Sequence, residues 1–151
     1  MDRYTSMGIS NDAREFLEAA QLVRREKPVT FRPTYFLVCQ SLELSLKAYL
    51  RGSGYSDEQL RRIGHNLDQC VSAAKATGVE GYVRLSEADI AAVAAINPYY
   101  QFKDFQYSVS GYKSFPHPDV LMELAERLWQ GLRPFCEQRR DYHVGKSTAV
   151  A

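Results

Sequence analysis

The segment from residue 35 to residue 51 constrains the fold most, because a helix drawn through it is apolar around almost its whole circumference. Its polar residues keep to one narrow line at helical spacing: Gln40, Glu43, Lys47 and Arg51. A helix of this kind has to be covered by other helices on most of its sides. The segment therefore predicts the central helix of a bundle.

Capping residues, glycines and prolines mark the other helices of the chain. The expected helix starts are Asp12 with Glu15 at capping-box spacing, Ser56 with Gln59, Asn66, Ser86 with Asp89, and Pro118. Asn97 and Pro98 are expected to close a helix, and Pro134 to kink or break the last one. The pattern predicts an all-α fold.

The length of 151 residues suits one domain with a substantial core. We expect this domain to span residues 12–143, between an N-terminal segment of residues 1–11 and a disordered tail of residues 144–151. The formal net charge is +1, so the chain has no global basic field that would draw it onto nucleic acid. Phosphate binding would therefore need a local patch of positive charge.

Cysteine and histidine usage bears on compartment and cofactors. The three cysteines are an odd number without C-x-x-C spacing, and Cys39 and Cys70 fall at apolar helical positions. The N-terminus lacks the apolar core of a signal peptide, and no apolar run is long enough to span a bilayer. The three histidines are scattered, without metal-ligand spacing. We therefore expect a cytoplasmic protein with no membrane partner, no metal and no cofactor.

An aromatic-rich stretch lies between the last two predicted helices, over residues 98–116. Phe105 and Tyr107 alternate with polar residues, so a small β-hairpin is one expectation and a folded-back loop is the other. Tyr100, Lys103 and Tyr107 are candidate ligand-binding residues, because aromatic rings beside lysines can stack bases. The same rings suit packing or dimerisation, which is the commoner use of such residues.

The central helix, the Gly-Ser-Gly loop after it and the run Gly64-His65-Asn66-Leu67 resemble the HEPN domain family. The opening pattern Ala-x-x-Phe-Leu from Ala13 is similar to that family as well, and the resemblance covers about residues 12–140. It implies a four- to five-helix bundle that often forms homodimers. Family members include metal-independent RNases, partners of nucleotidyltransferases in toxin–antitoxin pairs, and modules that bind nucleotides or proteins.

The RNase members of that family share an arginine followed by four to six residues and then a histidine. None of His65, His117 and His143 has an arginine at that spacing, and Arg61 and Arg139 each miss it by one residue. The resemblance therefore implies a non-catalytic binding or partner module rather than an enzyme. Its ligand or partner would be a nucleotide, an RNA or a protein, including a nucleotidyltransferase.

His65 is the leading candidate site residue, and Arg61, Arg62 and Asn66 are the candidate ligand-binding residues beside it. It precedes a predicted helix start at Asn66, and Arg61 and Arg62 lie one turn upstream, so free N–H groups and guanidinium groups would together favour an anion. The alternative interpretation is that His65 caps the helix locally. If the chain were instead a divergent metal-independent RNase, His65 would be catalytic and would accept the 2′-OH proton, with Arg61 or Arg62 steadying the phosphate.

Two further interpretations stay open. Glu43 and Lys47 are either a solvated i, i+4 pair or a polar pair that faces a cleft or a dimer partner. As a whole, the chain could also be a protein-binding adaptor whose partner docks on the aromatic stretch.

Overall fold

Six α-helices make up most of the residues that the computed structural model describes, which are residues 4–102 and 115–139. The helices are α1 (Ser6–Glu26), α2 (Phe31–Gly52), α3 (Asp57–Ile63), α4 (Leu67–Ala76), α5 (Glu87–Gln101) and α6 (Pro118–Gln138), with one 3₁₀ turn at Val79–Gly81. Within these two ranges there is no β-strand, which confirms the all-α prediction. The capping signals already predict both short helices, α3 and α4, so the six helices exceed only the four to five that the family resemblance implies.

Helix α2 lies at the centre, as its apolar circumference predicts. It packs against α1, α3, α4 and α6, and α6 also packs against α1 and α5. Small polar residues bring α1 and α2 close together, since the hydroxyl of Ser6 donates to the carbonyl of Ala48 and that of Ser41 donates to the carbonyl of Ala13. The core is a continuous cluster of apolar side chains contributed by every α-helix.

Capping residues begin the later helices where the sequence predicts them. Ser56 with Gln59 and Ser86 with Asp89 form complete capping boxes. The side chain of Asn66 caps α4, and Pro118 is the first residue of α6. These four starts are confirmed because each signal is local and needs no knowledge of the packing.

The first two helices begin earlier than predicted. Helix α1 begins at Ser6, capped by Thr5, and not at Asp12. The prediction was wrong because burial of Ser6 and Ile9 against the core extends the helix beyond the Asp12 capping signal. Helix α2 begins at Phe31 and includes Pro33 in its first turn, where an N–H group has no intrahelical acceptor to lose.

Prolines 98 and 134 lie inside helices, against the expectation that they would end or break them. Helix α5 continues through Pro98 to Gln101 because Tyr100 is buried and the N–H of Phe102 bonds to the carbonyl of Pro98. Helix α6 continues through Pro134, and Phe135 beyond it packs against the ring of Tyr49. In both cases tertiary burial outweighs the lost backbone hydrogen bond. The predicted hairpin and disordered tail lie almost wholly outside the described residues.

Candidate functional site

A groove of about 870 Å³ runs between α1, α2 and α3. Its apolar walls come from Ile9 and Phe16 of α1, Leu44 of α2 and Leu60 of α3. Gln40, Glu43 and Lys47 of the polar line on α2 face this groove, whereas Arg51, the last residue of that line, is fully buried and is not part of the groove lining. The other charged or hydrogen-bonding side chains at the groove are those of Tyr4, Asp12, Asp57, Arg61 and His65. Apolar walls with a few convergent polar groups are typical of a small-molecule site.

Glu43 is the centre of the polar network at the groove. Its Oε1 atom accepts hydrogen bonds from the Tyr100 hydroxyl at 2.7 Å and from His65 Nδ1 at 2.8 Å. Its Oε2 atom accepts one from Lys47 Nζ at 2.9 Å. The Glu43 side chain is only 5% exposed, so the three donors stabilise a carboxylate that would otherwise be costly to bury. Glu43 and Lys47 are therefore a largely buried pair and not a solvated one.

Tyr100 brings α5 into the network. Its hydroxyl has one proton, and that proton is donated to Glu43, since a carboxylate can only accept. The Gln40 side-chain amide lies 2.8 Å from the same hydroxyl oxygen, and it can donate to that oxygen if its N and O positions are exchanged. Burial, followed by the charge of Glu43, raises the pKa of Tyr100 well above its usual range. The phenol therefore remains a neutral donor.

His65 lies in the turn between α3 and α4, and its side chain is held by Glu43 of α2. A carboxylate acceptor at Nδ1 requires the proton on that nitrogen, which leaves Nε2 as the acceptor atom of a neutral imidazole. The ring also meets Tyr100 edge-on, with 5.8 Å between the centroids. The His65 side chain is 48% exposed, and Nε2 makes no hydrogen bond to any described residue. His65 does not cap α4, because Asn66 does so.

Lys47 fixes the backbone next to His65. Its Nζ atom donates to the carbonyl of Gly64 at 2.6 Å as well as to Glu43. Gly64 has a φ of 60°, a conformation that glycine adopts without strain. Lys47 thus joins the end of α3 to α2 and determines where the chain leaves α3 to reach His65.

The two arginines upstream of His65 have different surroundings. Arg61 lines the groove and is exposed, with no ion pair to the described part of the chain. Arg62 lies outside the groove lining and forms a 2.6 Å ion pair with Glu58, in which both side chains are more than 70% exposed. A pair so exposed contributes little to stability. Only Arg61 is therefore placed to meet a ligand in the groove.

The N-terminus of α4 uses its N–H groups internally. The N–H of Leu67 donates to Asn97 Oδ1 at 2.7 Å, and that of Gln69 donates to Asn66 Oδ1 at 3.1 Å. Asp68 adds a carboxylate in the first turn. These contacts occupy two of the N–H groups on which the anion-site prediction at this helix end relied, one bound by Asn97 of α5 and the other by Asn66. Asn66 is thus a capping residue here.

The candidates in the aromatic stretch have separate outcomes. Tyr100 joins the Glu43 network, whereas Lys103 and Tyr107 lie outside the described residues. The sequence analysis did not single out Phe16 or Leu60 as site residues, and it interpreted Asp12 only as a helix cap. The one available signal was the polar line on α2, which marks the side of the bundle that the groove occupies.

No family model, curated protein or solved structure matches the chain. Among residues 4–102 and 115–139, no three histidine, cysteine or acidic side chains form a group that could hold a metal ion. No helix in those ranges combines the length and the apolarity needed to cross a bilayer.

Proposed function

We propose that this chain is a HEPN-like, non-catalytic binding module whose groove between α1, α2 and α3 takes a nucleotide. In this proposal Arg61 contacts the phosphate and Nε2 of His65 accepts a hydrogen bond from the sugar or base. The observation that carries it is the contrast at the groove: Glu43, Lys47 and Tyr100 satisfy one another, while Arg61 and Nε2 of His65 have no partner in the described chain.

The charges of the groove favour a small ligand over a long polyanion. Asp12, Glu43 and Asp57 line it together with Lys47 and Arg61, so the lining has no excess of positive charge. A nucleic-acid strand is normally bound along a positively charged track. A mononucleotide needs one anion contact and an apolar surface for its base, and Phe16 and Leu60 supply that surface.

The resemblance to the HEPN family supports two extensions of this proposal. The module would work as a homodimer in the cytoplasm, and its partner would be a nucleotidyltransferase of a toxin–antitoxin pair. Analytical ultracentrifugation tests the first extension, and co-expression with a neighbouring nucleotidyltransferase tests the second.

The experiment for the main proposal is a thermal-shift and calorimetric titration with a panel of nucleoside mono-, di- and triphosphates. A ligand that binds only the folded state raises Tm in proportion to its saturation. We expect Arg61→Ala to weaken binding about tenfold or more and Arg62→Ala to leave it nearly unchanged. Equal losses in both variants, or no shift with any nucleotide, would contradict the proposal.

The second candidate function is a divergent metal-independent RNase, and the distance of 2.8 Å between His65 Nδ1 and Glu43 Oε1 favours it. A carboxylate that orients an imidazole leaves Nε2 ready to accept the 2′-OH proton, and Arg61 would then steady the phosphate. The test is cleavage of single- and double-stranded RNA in excess chelator by wild type and by His65→Ala. Cleavage that disappears in the variant would establish the RNase, whereas we expect neither protein to cleave.

A further inference from the structure

The loop between α1 and α2 exposes apolar side chains at one end of the bundle. Val29 is 80% exposed and Phe31 is 53% exposed. Leu22 near the end of α1 and Val120 in the first turn of α6 are also exposed at this end. The α1 and α6 ends are joined there by an ion pair of 2.9 Å between Arg24 Nε and Asp119 Oδ1. Single exposed apolar residues are ordinary, but several at one end of a domain indicate a contact surface.

Hydrogen bonds hold this loop in its outward conformation. Arg24 Nη1 donates to the carbonyl of Pro28 at 2.8 Å, and the N–H of Thr30 donates to the carbonyl of Lys27 at 2.9 Å. The hydroxyl of Thr34 closes the first turn of α2 by donating to the carbonyl of Thr30. These hydrogen bonds fix the backbone on both sides of Val29, so the loop would have to break them to turn the Val29 side chain towards the core.

Positive charges flank the apolar residues of the loop. Lys27, Val29, Phe31 and Arg32, which together we name the apolar–basic tip, are all exposed. Neither Lys27 nor Arg32 forms an ion pair with the described part of the chain. Arg25 beside them pairs only with the adjacent Glu26, and both of those side chains are more than 60% exposed. Exposed apolar side chains surrounded by cations are complementary to the boundary between lipid headgroups and acyl chains.

We propose that the apolar–basic tip docks on an anionic lipid surface. Val29 and Phe31 insert at the level of the headgroups, and Lys27 and Arg32 contact the lipid phosphates. A lipid surface fits better than RNA, because only Phe31 of the two apolar side chains offers a ring on which a base can stack, and Val29, the more exposed one, offers none. It also fits better than a peptide, because a side chain that is 80% exposed protrudes and offers no concave pocket. Docking of this kind needs no spanning helix, and it departs from the expectation, drawn from the sequence, that the chain has no membrane partner.

The tip lies outside the groove. Phe31 stands about 14 Å along α2 from Gln40, the first residue of that helix in the groove lining, and about 24 Å from Lys47, at a rise of about 1.5 Å per residue. The proposed docking therefore extends beyond nucleotide binding and does not depend on it, and variants of Arg61 should not alter it.

The test is co-sedimentation of the full chain with vesicles of phosphatidylcholine alone and of phosphatidylcholine with phosphatidylglycerol. We expect binding only to the anionic vesicles, with a loss of about tenfold or more for Lys27→Gln/Arg32→Gln, since each cation near such a surface gives about fivefold. The matched control is Lys75→Gln/Arg84→Gln, which removes the same charge from exposed positions elsewhere and should bind like wild type. Val29→Ser/Phe31→Ser should lose about tenfold at unchanged charge.

Three results would overturn the proposal. Equal losses in the tip and control charge variants would indicate non-specific attraction of a cationic protein. Unchanged binding by Val29→Ser/Phe31→Ser would exclude insertion. Failure to bind anionic vesicles, combined with tip-dependent self-association in ultracentrifugation or tip-dependent binding of an RNA oligonucleotide, would assign the tip to a second copy or to RNA. Circular dichroism of each variant checks that the exposed substitutions leave the fold intact.

Discussion

Nδ1 of His65 lies 2.8 Å from Oε1 of Glu43, although the two residues belong to different segments that are 22 positions apart in the chain. The same carboxylate accepts hydrogen bonds from Lys47 on its own helix and from Tyr100 on α5. Glu43 thereby determines the orientation and the tautomer of a half-exposed imidazole from a buried position. The network can be tested separately from any ligand, because its members contribute to stability.

The Glu43–Lys47 pair should behave as a coupled unit. Glu43→Gln removes the charge opposite a Lys47 side chain that is only 12% exposed, and we expect the free energy of unfolding to fall by about 2 kcal/mol. Lys47→Met should cost a similar amount, because it leaves Glu43 and the carbonyl of Gly64 without that donor. In guanidinium unfolding, the double variant should lose at least about 1 kcal/mol less than the sum of the single losses. Strict additivity would contradict a coupled pair.

Tyr100→Phe should destabilise the protein in a pH-dependent way. Loss of the hydroxyl removes a donor to buried Glu43, at a cost of about 1–2 kcal/mol near neutral pH. Burial, followed by Glu43, raises the pKa of Tyr100 in the folded state, whereas the unfolded phenol titrates near its ordinary pKa of about 10. The contribution of Tyr100 is therefore complete below about pH 10 and is lost as the pH rises further, by about 1.4 kcal/mol per unit.

The measurement for this prediction is denaturant unfolding of wild type and Tyr100→Phe between pH 8 and pH 10.5. The difference between the two curves of stability against pH should narrow by about 0.8 kcal/mol up to pH 10.5, since the other tyrosines titrate alike in both proteins. A difference that stays constant across the whole range would mean that Tyr100 is not buried against a carboxylate.

Asp89 should stabilise the fold at neutral pH and cease to do so in acid. Burial alone would raise the pKa of Asp89, but its hydrogen bonds with Ser86 and with Arg127 outweigh burial and hold the pKa below its usual range. Because this pKa is lowered by folding, ionised Asp89 makes its full contribution to the free energy of unfolding above about pH 4. That contribution is lost as the pH falls through the pKa of Asp89 in the folded state. We expect Asp89→Asn to cost about 1 kcal/mol at pH 7, allowing for the 40% exposure of Arg127.

The matched control for Asp89 is Asp119→Asn. Asp119 also has a lowered pKa, caused first by its hydrogen bond from Arg24, but its side chain is 62% exposed. Solvent screening should therefore make its effect on Tm smaller than that of Asp89→Asn. If thermal unfolding from pH 3 to pH 7 showed the same pH-dependent loss in both variants, burial of the Asp89–Arg127 pair would not be the cause.

Much of the fold could be predicted from local signals. The capping boxes at Ser56 and Ser86 and the cap at Asn66 depend on residues three positions apart, so sequence alone locates these helix starts. The central place of α2 follows from its apolar circumference. The starts of α1 and α2 and the course of the chain through Pro98 depend on burial by distant residues, which a local pattern does not contain.

The site could be predicted only in part, for the same physical reason. The narrow polar line on α2 left Glu43 and Lys47 open to two interpretations, a solvated pair or a pair that faces a cleft, and the structure places them largely buried at the groove. The sequence did not reveal that Glu43 reaches His65, or that Asn97 reaches the N–H of Leu67, because both contacts join separate helices. Arg61 and Arg62 are adjacent in the chain, yet only the direction of α3 places Arg61 at the groove and Arg62 beside Glu58.

All three cysteines should resist thiol reagents until the protein unfolds. Burial raises the pKa of the Cys70 thiol to about 12, and burial likewise raises the pKa values of Cys39 and Cys136. Since the thiolate is the reactive form, Ellman's reagent at pH 8 should label native protein slowly and guanidinium-unfolded protein at all three positions. The control Lys75→Cys, at an exposed position, should react at once.

Glu43→Gln should speed labelling of the buried thiols by about thirtyfold if they become accessible only through global unfolding, as expected for a loss of about 2 kcal/mol in the free energy of unfolding. Fast labelling of a native cysteine in wild type would contradict the continuous core in which these thiols lie.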